Sequence, residues 1–160
     1  MILLGVDPGS ARTGWGAIDS DGRRHRLIEA GVLAPPPRLP LHDKLRFLHE
    51  GLAAAIARHA PCALAVEDVF HATNTRTALV LGHVRGVVLL AGAAAGLLVS
   101  AFPPATVKVQ VTGFGRAEKS QVALMVSRIL ALEEQPAGDA TDALAVALCH
   151  AHLHSARPAS

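Results

Sequence analysis

The stretch that decides the fold is ILLGVDPGSARTGWGAID, residues 2–19. Its apolar start has the composition of a short buried strand, which ends on Asp7 at a Pro-Gly-Ser turn. Residues 13–19 then predict a second strand. The pair Asp21-Gly22 is typical of a hairpin turn and leads into a third strand over residues 25–33. We therefore expect three antiparallel strands at the N-terminus.

Working outward, helices and strands alternate along the rest of the chain. The predicted elements are a leucine-spaced helix over 41–56, a buried strand over 62–69, a Gly/Ala-rich helix over 75–95, a strand over 97–102, and helices over 120–132 and 139–152. Residues 104–118 stay open, because alternating valines favour a strand while the preceding proline pair favours a short helix. This order predicts an α/β fold, a ribonuclease-H-like mixed five-stranded sheet with helices on both faces. Residues 1–154 would form a single domain, with a disordered tail over 155–160.

Composition limits the functional classes only weakly. A hydrophobic fraction of 51% indicates a globular chain, and a net charge of +2 says little about nucleic acid. Residues 106–128, however, include four basic residues and only one acid. This local excess of positive charge fits either a phosphate-binding surface or an ordinary solvated face. Cys62 and Cys149 both have apolar neighbours, so we expect small core residues in a reducing cytoplasm rather than a disulfide.

The start of the chain has no basic leader, which favours a cytoplasmic protein. The most apolar stretch, residues 87–99, is shorter than the roughly 18 to 20 residues that a membrane span needs. We therefore expect no membrane segment. The glycine spacing in the 75–95 helix would instead let another backbone approach closely, which suits a subunit contact.

Four acids stand where chemistry is expected. Asp7 and Glu67 end or nearly end apolar strands, whose carboxyl ends meet at one sheet edge in α/β folds. Asp139 and Asp142 lie three residues apart at a helix start and share a face. Turn capping could explain Asp7, and helix capping and dipole pairing could explain the last two. Four converging acids would repel one another, which indicates Mg²⁺ or Mn²⁺ as a counter-charge.

Two such ions roughly 3.5 to 4 Å apart would suit phosphodiester hydrolysis. Lys119, at the start of a helix, and Lys108 are candidates for the positive charge beside the scissile phosphate. The residues alone therefore predict a metal-dependent phosphodiesterase site.

Four segments carry a family resemblance: GVDPGSARTGWG (5–16), VEDVFHATNTRTALVLGHVRG (66–86), GFGRAEKSQV (113–122) and DATDALAVALCHAH (139–152). Together they resemble the RuvC family of Holliday-junction resolvases, across nearly the whole chain. The resemblance implies that Asp7, Glu67, Asp139 and Asp142 are the catalytic metal ligands. Some relatives carry histidine at the position of Asp139, which implies that the metal site tolerates variation there.

The same resemblance implies a DNA-binding set: Phe70, Asn74, Arg76, Lys108, Arg116 and Lys119. Phe70 would stack on an unpaired base near the junction centre, and Lys119 would also act in catalysis. His71 and Thr73 differ from the more basic residues of some relatives, which implies weaker loop contacts. The implied enzyme is a homodimer that nicks four-way junctions symmetrically in recombination and repair, with a branch-migration complex of the RuvA and RuvB type as partner.

Three alternatives remain beside that interpretation. An ATP-binding protein of the actin type also begins with a strand and an aspartate, but it usually needs two such domains. A non-catalytic junction binder of the same fold would gain affinity by losing the four acids. A metal site at His150, His152 and His154 is disfavoured, because alternate residues of a helix do not face each other, so these histidines are expected to be solvated.

Overall fold

The computed structural model describes residues 1–68 and 74–155. Elements are numbered in chain order. The strands are β1 (Ile2–Asp7), β2 (Thr13–Ser20), β3 (His25–Leu33), β4 (Ala63–Glu67) and β5 (Leu98–Phe102). The helices are α1 (Leu41–His59), α2 (Thr75–Ala94), α3 (Pro104–Thr112), α4 (Lys119–Ile129) and α5 (Gly138–Ser155).

The strands form one mixed sheet in the order β3-β2-β1-β4-β5. β1 pairs antiparallel with β2 and parallel with β4, and β4 pairs parallel with β5. The last pair in the β1–β4 register is Val6 with Val66, one residue before Asp7 and Glu67. The predicted mixed five-stranded sheet is confirmed, and the two acids leave it side by side.

Each face of the sheet carries its own hydrophobic core. Leu3 packs with α3, α4 and α5 on one face, while Leu4 and Val6 pack with α1 and α2 on the other. This division follows from the alternation of side chains along β1. Helices therefore cover both faces, as predicted.

Helix α5 lies directly on the backbone of β1 and β2. A Cβ at Gly5 would collide with the carbonyl oxygen of Ala143, and a Cβ at Gly14 with that of Asp139. Glycine at these two positions removes the side chain that would otherwise separate helix from sheet. The start of α5 is consequently held close to the carboxyl end of β1.

Trp15 is buried in the core on the α1 side of the sheet. Its ring centroid lies 5.9 Å from that of His59, and Gly31 leaves room for its indole nitrogen. Because Val6 pairs with Trp15 across β1 and β2, this side chain lies under the strand that carries Asp7. It contributes packing rather than a surface for ligands.

The sequence left the conformation of residues 104–118 undecided between strand and helix, and the structure has a helix, α3, over the first part, Pro104–Thr112. Proline starts α3, where its missing N–H costs nothing, and Gly113 ends it at a φ of 78°. The next helix, α4, begins at Lys119, one residue earlier than predicted, because the Gln121 side chain accepts a hydrogen bond from the Glu118 backbone N–H at 2.8 Å.

Three expectations need correction. Cys62 is exposed rather than a core residue, although Cys149 is buried as expected and neither forms a disulfide. His150 is only 3% exposed, because α5 packs against the sheet up to its last turns. The helix runs to Ser155, one residue past the predicted end of the domain, and residues 156–160 lie outside the described part.

Among the described helices, α2 is long and apolar enough to meet the length and composition criteria of a membrane span. The most apolar stretch of the sequence, 87–99, overlaps only the last part of this helix, which begins at Thr75, so the length of the apolar run was underestimated. Only 22% of the window is buried within the chain, so α2 presents a wide apolar face. Such a face is weak evidence for lipid and equally fits a protein partner.

Candidate active site

A cleft of about 340 Å³ opens at the carboxyl edge of the parallel strands. Its charged lining comprises Asp7, Glu67, Asp142, Lys108 and Lys119. These residues come from two strands and three helices, and they are separated by up to 135 positions in the chain. The fold therefore gathers three of the four predicted acids and both predicted lysines at one place.

The strand register explains the first two acids. Because Val6 pairs with Val66 in parallel, Asp7 and Glu67 follow at the same level of adjacent strands. Asp68, the next residue, instead forms an ion pair with Arg85 of α2 at 2.9 Å. Of the two neighbouring acids, only Glu67 contributes to the cleft.

The third acid, Asp142, comes from the first turns of α5. The close contact between Gly5 and Ala143 places this part of the helix against β1, two residues before Asp7. Asp142 is partly buried, and its Oδ2 accepts a hydrogen bond from Lys119 Nζ at 3.3 Å. Packing at a glycine thus positions a carboxylate from the far end of the chain.

The three acids are electrostatically strained. Burial, followed by the charges of Glu67 and Asp142, raises the pKa of Asp7 to about 7. Burial and then the Asp142 charge also raise the pKa of Glu67. The carboxylates therefore oppose one another's ionisation, and a positive charge bound among them would favour it.

A divalent cation fits this need. The donors are all carboxylate oxygens, the ligands that Mg²⁺ and Mn²⁺ prefer. Within residues 1–68 and 74–155, no three acids, histidines or cysteines already surround a metal position. A cation bound among the carboxylates would offset their mutual repulsion.

The two lysines differ in their setting. Lys119 begins α4, and its pKa is raised, first by the charge of Asp142 and then by the hydrogen bond to it. Lys108 lies on α3 and also lines the cleft. Arg116, in the connection between these helices, is exposed and is not part of the cleft lining.

Asp139 does not line the cleft but lies next to it. Its Oδ2 accepts a hydrogen bond from Arg12 Nε at 2.6 Å, and it borders a neighbouring depression that shares Lys119 and Asp142 with the cleft. Helix α5 begins at Gly138, so Asp139 lies inside the first turn rather than at the cap position. Its assignment as a metal ligand stays a prediction.

The predicted DNA-binding residues near α2 are only partly described. Asn74 caps the helix, its Oδ1 accepting from the Thr77 N–H at 2.9 Å. Arg76 is exposed beside a cavity of about 620 Å³ that borders the β1–β2 turn. Phe70, with His71 and Thr73, lies outside the described residues.

Sequence reasoning missed two features of this region. Arg12 lies within the diagnostic segment 5–16 but was given no role, because its partner is 127 residues away. Phe114 is 58% exposed in the turn after α3. The scarcity of aromatic residues in the chain was a signal that could have drawn attention to it.

The three histidines near the end of α5, His150, His152 and His154, contact one another and neighbouring elements. The rings of His150 and His154 stack with centroids 3.9 Å apart, and His152 Nδ1 lies 2.8 Å from the Gln110 carbonyl oxygen. No metal-binding group of three includes them among the described residues. They belong to the packing of α5 against α3 and the sheet.

Comparison with known families identifies one that spans nearly the whole chain. The family described as crossover junction endodeoxyribonuclease RuvC matches residues 3–150. The protein of that name from Pelotomaculum thermopropionicum is 50% identical over 156 residues, 97% of this chain and 95% of that protein. The one from Halorhodospira halophila is 49% identical over 154 residues, 96% and 92% of the two chains.

Solved structures agree with this. Thermus thermophilus RuvC in complex with a Holliday junction substrate superposes with a TM-score of 0.92 at 36% identity, covering 97% of this chain and 95% of that one. The yeast mitochondrial Holliday junction resolvase, at 13% identity and a TM-score of 0.68, shares the fold.

Proposed function

Because this chain belongs to the RuvC family of crossover junction endodeoxyribonucleases, we propose that it resolves four-way DNA junctions by metal-dependent phosphodiester hydrolysis. The observation that supports this best is the convergence of Asp7, Glu67 and Asp142 with Lys108 and Lys119 in one cleft. The biological setting would be homologous recombination and DNA repair, in the cytoplasm.

The chemistry follows from the charges in the cleft. Two Mg²⁺ or Mn²⁺ ions would supply an activated water and neutralise the leaving oxygen of the broken P–O bond. Asp7, Glu67 and Asp142 would hold the cations, with Asp139 as a fourth acid. Lys119 would leave Asp142 to donate to a non-bridging phosphate oxygen, where negative charge grows in the transition state.

DNA outside the cleft would be held by charge and stacking. Arg76 and Arg116 are exposed and suited to phosphate oxygens, and the amide nitrogen of Asn74 could donate to one while its oxygen caps α2. Phe70 would stack on an unpaired base at the crossover. These roles rest on the family assignment.

A homodimer would explain the apolar face of α2. Leu79 is 60% exposed and Leu90 59%, and both line an apolar groove of about 720 Å³ with Gly82 and Gly86. A Cβ at either glycine would meet nothing within 4 Å, which leaves space for a second α2. A two-fold enzyme also suits a junction that must be nicked on two opposing strands.

The dimer is tested by Leu79→Lys and Leu90→Lys. Light scattering should give two chains for the wild type and one for the double variant, whose thermal unfolding by itself remains cooperative. A monomeric wild type, or binding to neutral lipid vesicles, would contradict the subunit contact. A branch-migration complex of the RuvA and RuvB type is proposed from the family alone.

Cleavage is tested with a synthetic four-way junction and a linear duplex of the same sequences, with Mg²⁺, Mn²⁺ and no metal. Paired nicks in the junction alone, dependent on metal, support the proposal. The competing function is a non-catalytic junction binder. Tight binding without nicks under every metal condition would favour that function instead.

A further inference from the structure

The Arg12–Asp139 ion pair lies outside the cleft that gathers the other acids. Arg12 Nε donates to Asp139 Oδ2 at 2.6 Å, whereas the cleft lining contains Asp7, Glu67 and Asp142. One acid of the four therefore pairs with an arginine and does not line the cleft, although it lies next to Asp142.

This ion pair is not needed to hold α5 in place. The backbone of Asp139 already lies against Gly14 of β2, too closely for any side chain to intervene. The buried Thr141 hydroxyl lies 3.2 Å from the Pro136 carbonyl oxygen and closes the turn that starts the helix. What Arg12 determines is the direction of the Asp139 side chain.

The turn that carries Arg12 is itself well fixed. The buried Thr13 hydroxyl donates to the Gly9 carbonyl oxygen at 2.9 Å and accepts from the Gly9 N–H at 3.3 Å. The guanidinium group is thus presented from a closed loop between Asp7 and β2. Its side chain is 53% exposed, so a ligand in solvent can reach the guanidinium group.

A phosphate can compete for this arginine. An exposed ion pair is stabilised only weakly, by up to roughly 1 kcal/mol. Guanidinium binds phosphate oxygens in a bidentate manner that a single Nε contact does not use. A DNA strand arriving at the cleft would therefore draw Arg12 away from Asp139.

We propose that Arg12 is a positioning residue that holds Asp139 out of the carboxylate cleft until a DNA phosphate replaces Asp139 on the guanidinium group. The released Asp139 then turns toward the cleft and completes the cation site, so substrate binding and metal binding reinforce each other. This inference rests on the proposed function, because it assumes that the cleft holds cations and that DNA approaches it.

The test measures Mn²⁺ binding to the DNA-free protein by calorimetry. Arg12→Gln should tighten Mn²⁺ binding by roughly two- to fivefold, the range expected when a weak surface ion pair is removed. Asp139→Asn should leave the affinity within about twofold of wild type, whereas Asp142→Asn should lower it at least about tenfold. Arg46→Gln, which removes an exposed Arg–Asp pair on α1, should change nothing.

The double variant Arg12→Gln with Asp139→Asn shows whether Arg12 acts through Asp139. The increase in Mn²⁺ affinity that Arg12→Gln causes alone must be absent in this double variant. Unchanged or weaker Mn²⁺ binding in Arg12→Gln, or a loss in Asp139→Asn equal to that in Asp142→Asn, would overturn the proposal.

Junction binding supplies an independent readout of the phosphate step. With Arg12→Gln, the slope of log affinity against log salt should fall by about one, as for the loss of one phosphate contact, and Arg46→Gln should keep the wild-type slope. An unchanged slope in Arg12→Gln would overturn the exchange. The calorimetry does not depend on cleavage. If the protein did not nick the junction, the proposed function would be refuted, and the Mn²⁺ affinities would still test the role of Arg12.

Discussion

The Lys119 ammonium group lies 3.3 Å from Asp142 Oδ2, yet the side chain of Lys119 is 87% exposed. The lysine therefore neutralises an acid of the cleft while keeping open access to solvent. A phosphate oxygen approaching from outside can accept from the same ammonium group. Lys119 is thus placed between the acids and the expected position of the DNA.

Replacing Lys119 by Ala should slow junction cleavage on the order of 100-fold and weaken junction binding by less than about fivefold, because the charge matters most where the transition state becomes more negative. Single-turnover cleavage and a binding titration measure the two effects. Arg128→Ala, at the other end of α4, is the control. Equal losses in rate and binding would reduce Lys119 to a phosphate contact.

Asp7→Asn should abolish cleavage, retain junction binding and stabilise the metal-free fold at pH 8. The folded-state pKa of Asp7 is raised to about 7, so its ionisation destabilises the folded state progressively from about pH 4 through pH 7. The variant removes this penalty, a gain on the order of 2 kcal/mol at pH 8 and much less at pH 5.

Urea unfolding without metal at both pH values checks this, with Glu134→Gln, an exposed acid of the α4–α5 connection, as control. If the gain in the free energy of unfolding were the same at both pH values, it would not come from removing the cost of ionising the Asp7 carboxyl. Undiminished nicking by Asp7→Asn in Mn²⁺ would contradict its catalytic role.

His150 should make the fold sensitive to acid. Burial, and then the charge of His154, lowers its pKa from 6.5 to about 4. The unfolded chain then binds the proton first, so stability is complete above about pH 6.5 and falls between there and pH 4. Between pH 7 and pH 5, the free energy of unfolding should fall by on the order of 1 kcal/mol less in His150→Gln than in the wild type.

Urea unfolding at both pH values tests this prediction, with exposed His42→Gln as the matched control. The same pH sensitivity in wild type and in His150→Gln would assign it to another group.

Gly5→Ala should destabilise the fold by about 3 kcal/mol or more, because its methyl group would collide with the Ala143 carbonyl oxygen and push α5 off the sheet. The cleavage rate should fall by more than the loss of folded protein explains, because Asp142 moves with the helix. Thermal unfolding and activity at low temperature separate the two effects. Gly138→Ala, where a Cβ meets nothing within 4 Å, should be nearly neutral.

The sequence was most informative where burial restricts residue choice. Asp7 and Glu67 could be placed at one edge because apolar strands end beside them and parallel strands share a direction. The helical start of residues 104–118 was ambiguous, because valine spacing alone does not separate a strand from a helix that begins at proline. The local pattern also could not tell that Cys62 faces solvent, since its neighbours are apolar on both sides.

The different surroundings of Asp139 and Asp142 were beyond reach for another reason. Both occur in one motif, three residues apart, and local spacing treats them alike. What separates them is long-range: Lys119 contacts Asp142, while Arg12 contacts Asp139. Side-chain direction at a surface is decided by such distant partners, which periodicity does not report.

The buried position of Trp15 has a spectroscopic consequence. It is the only tryptophan of the chain, which contains no tyrosine, so the intrinsic fluorescence of the protein reports mainly on one site. That site is the core beneath β1 and α1, with a histidine ring 5.9 Å away that can quench the indole. The emission spectrum of this protein is consequently an intrinsic probe of unfolding.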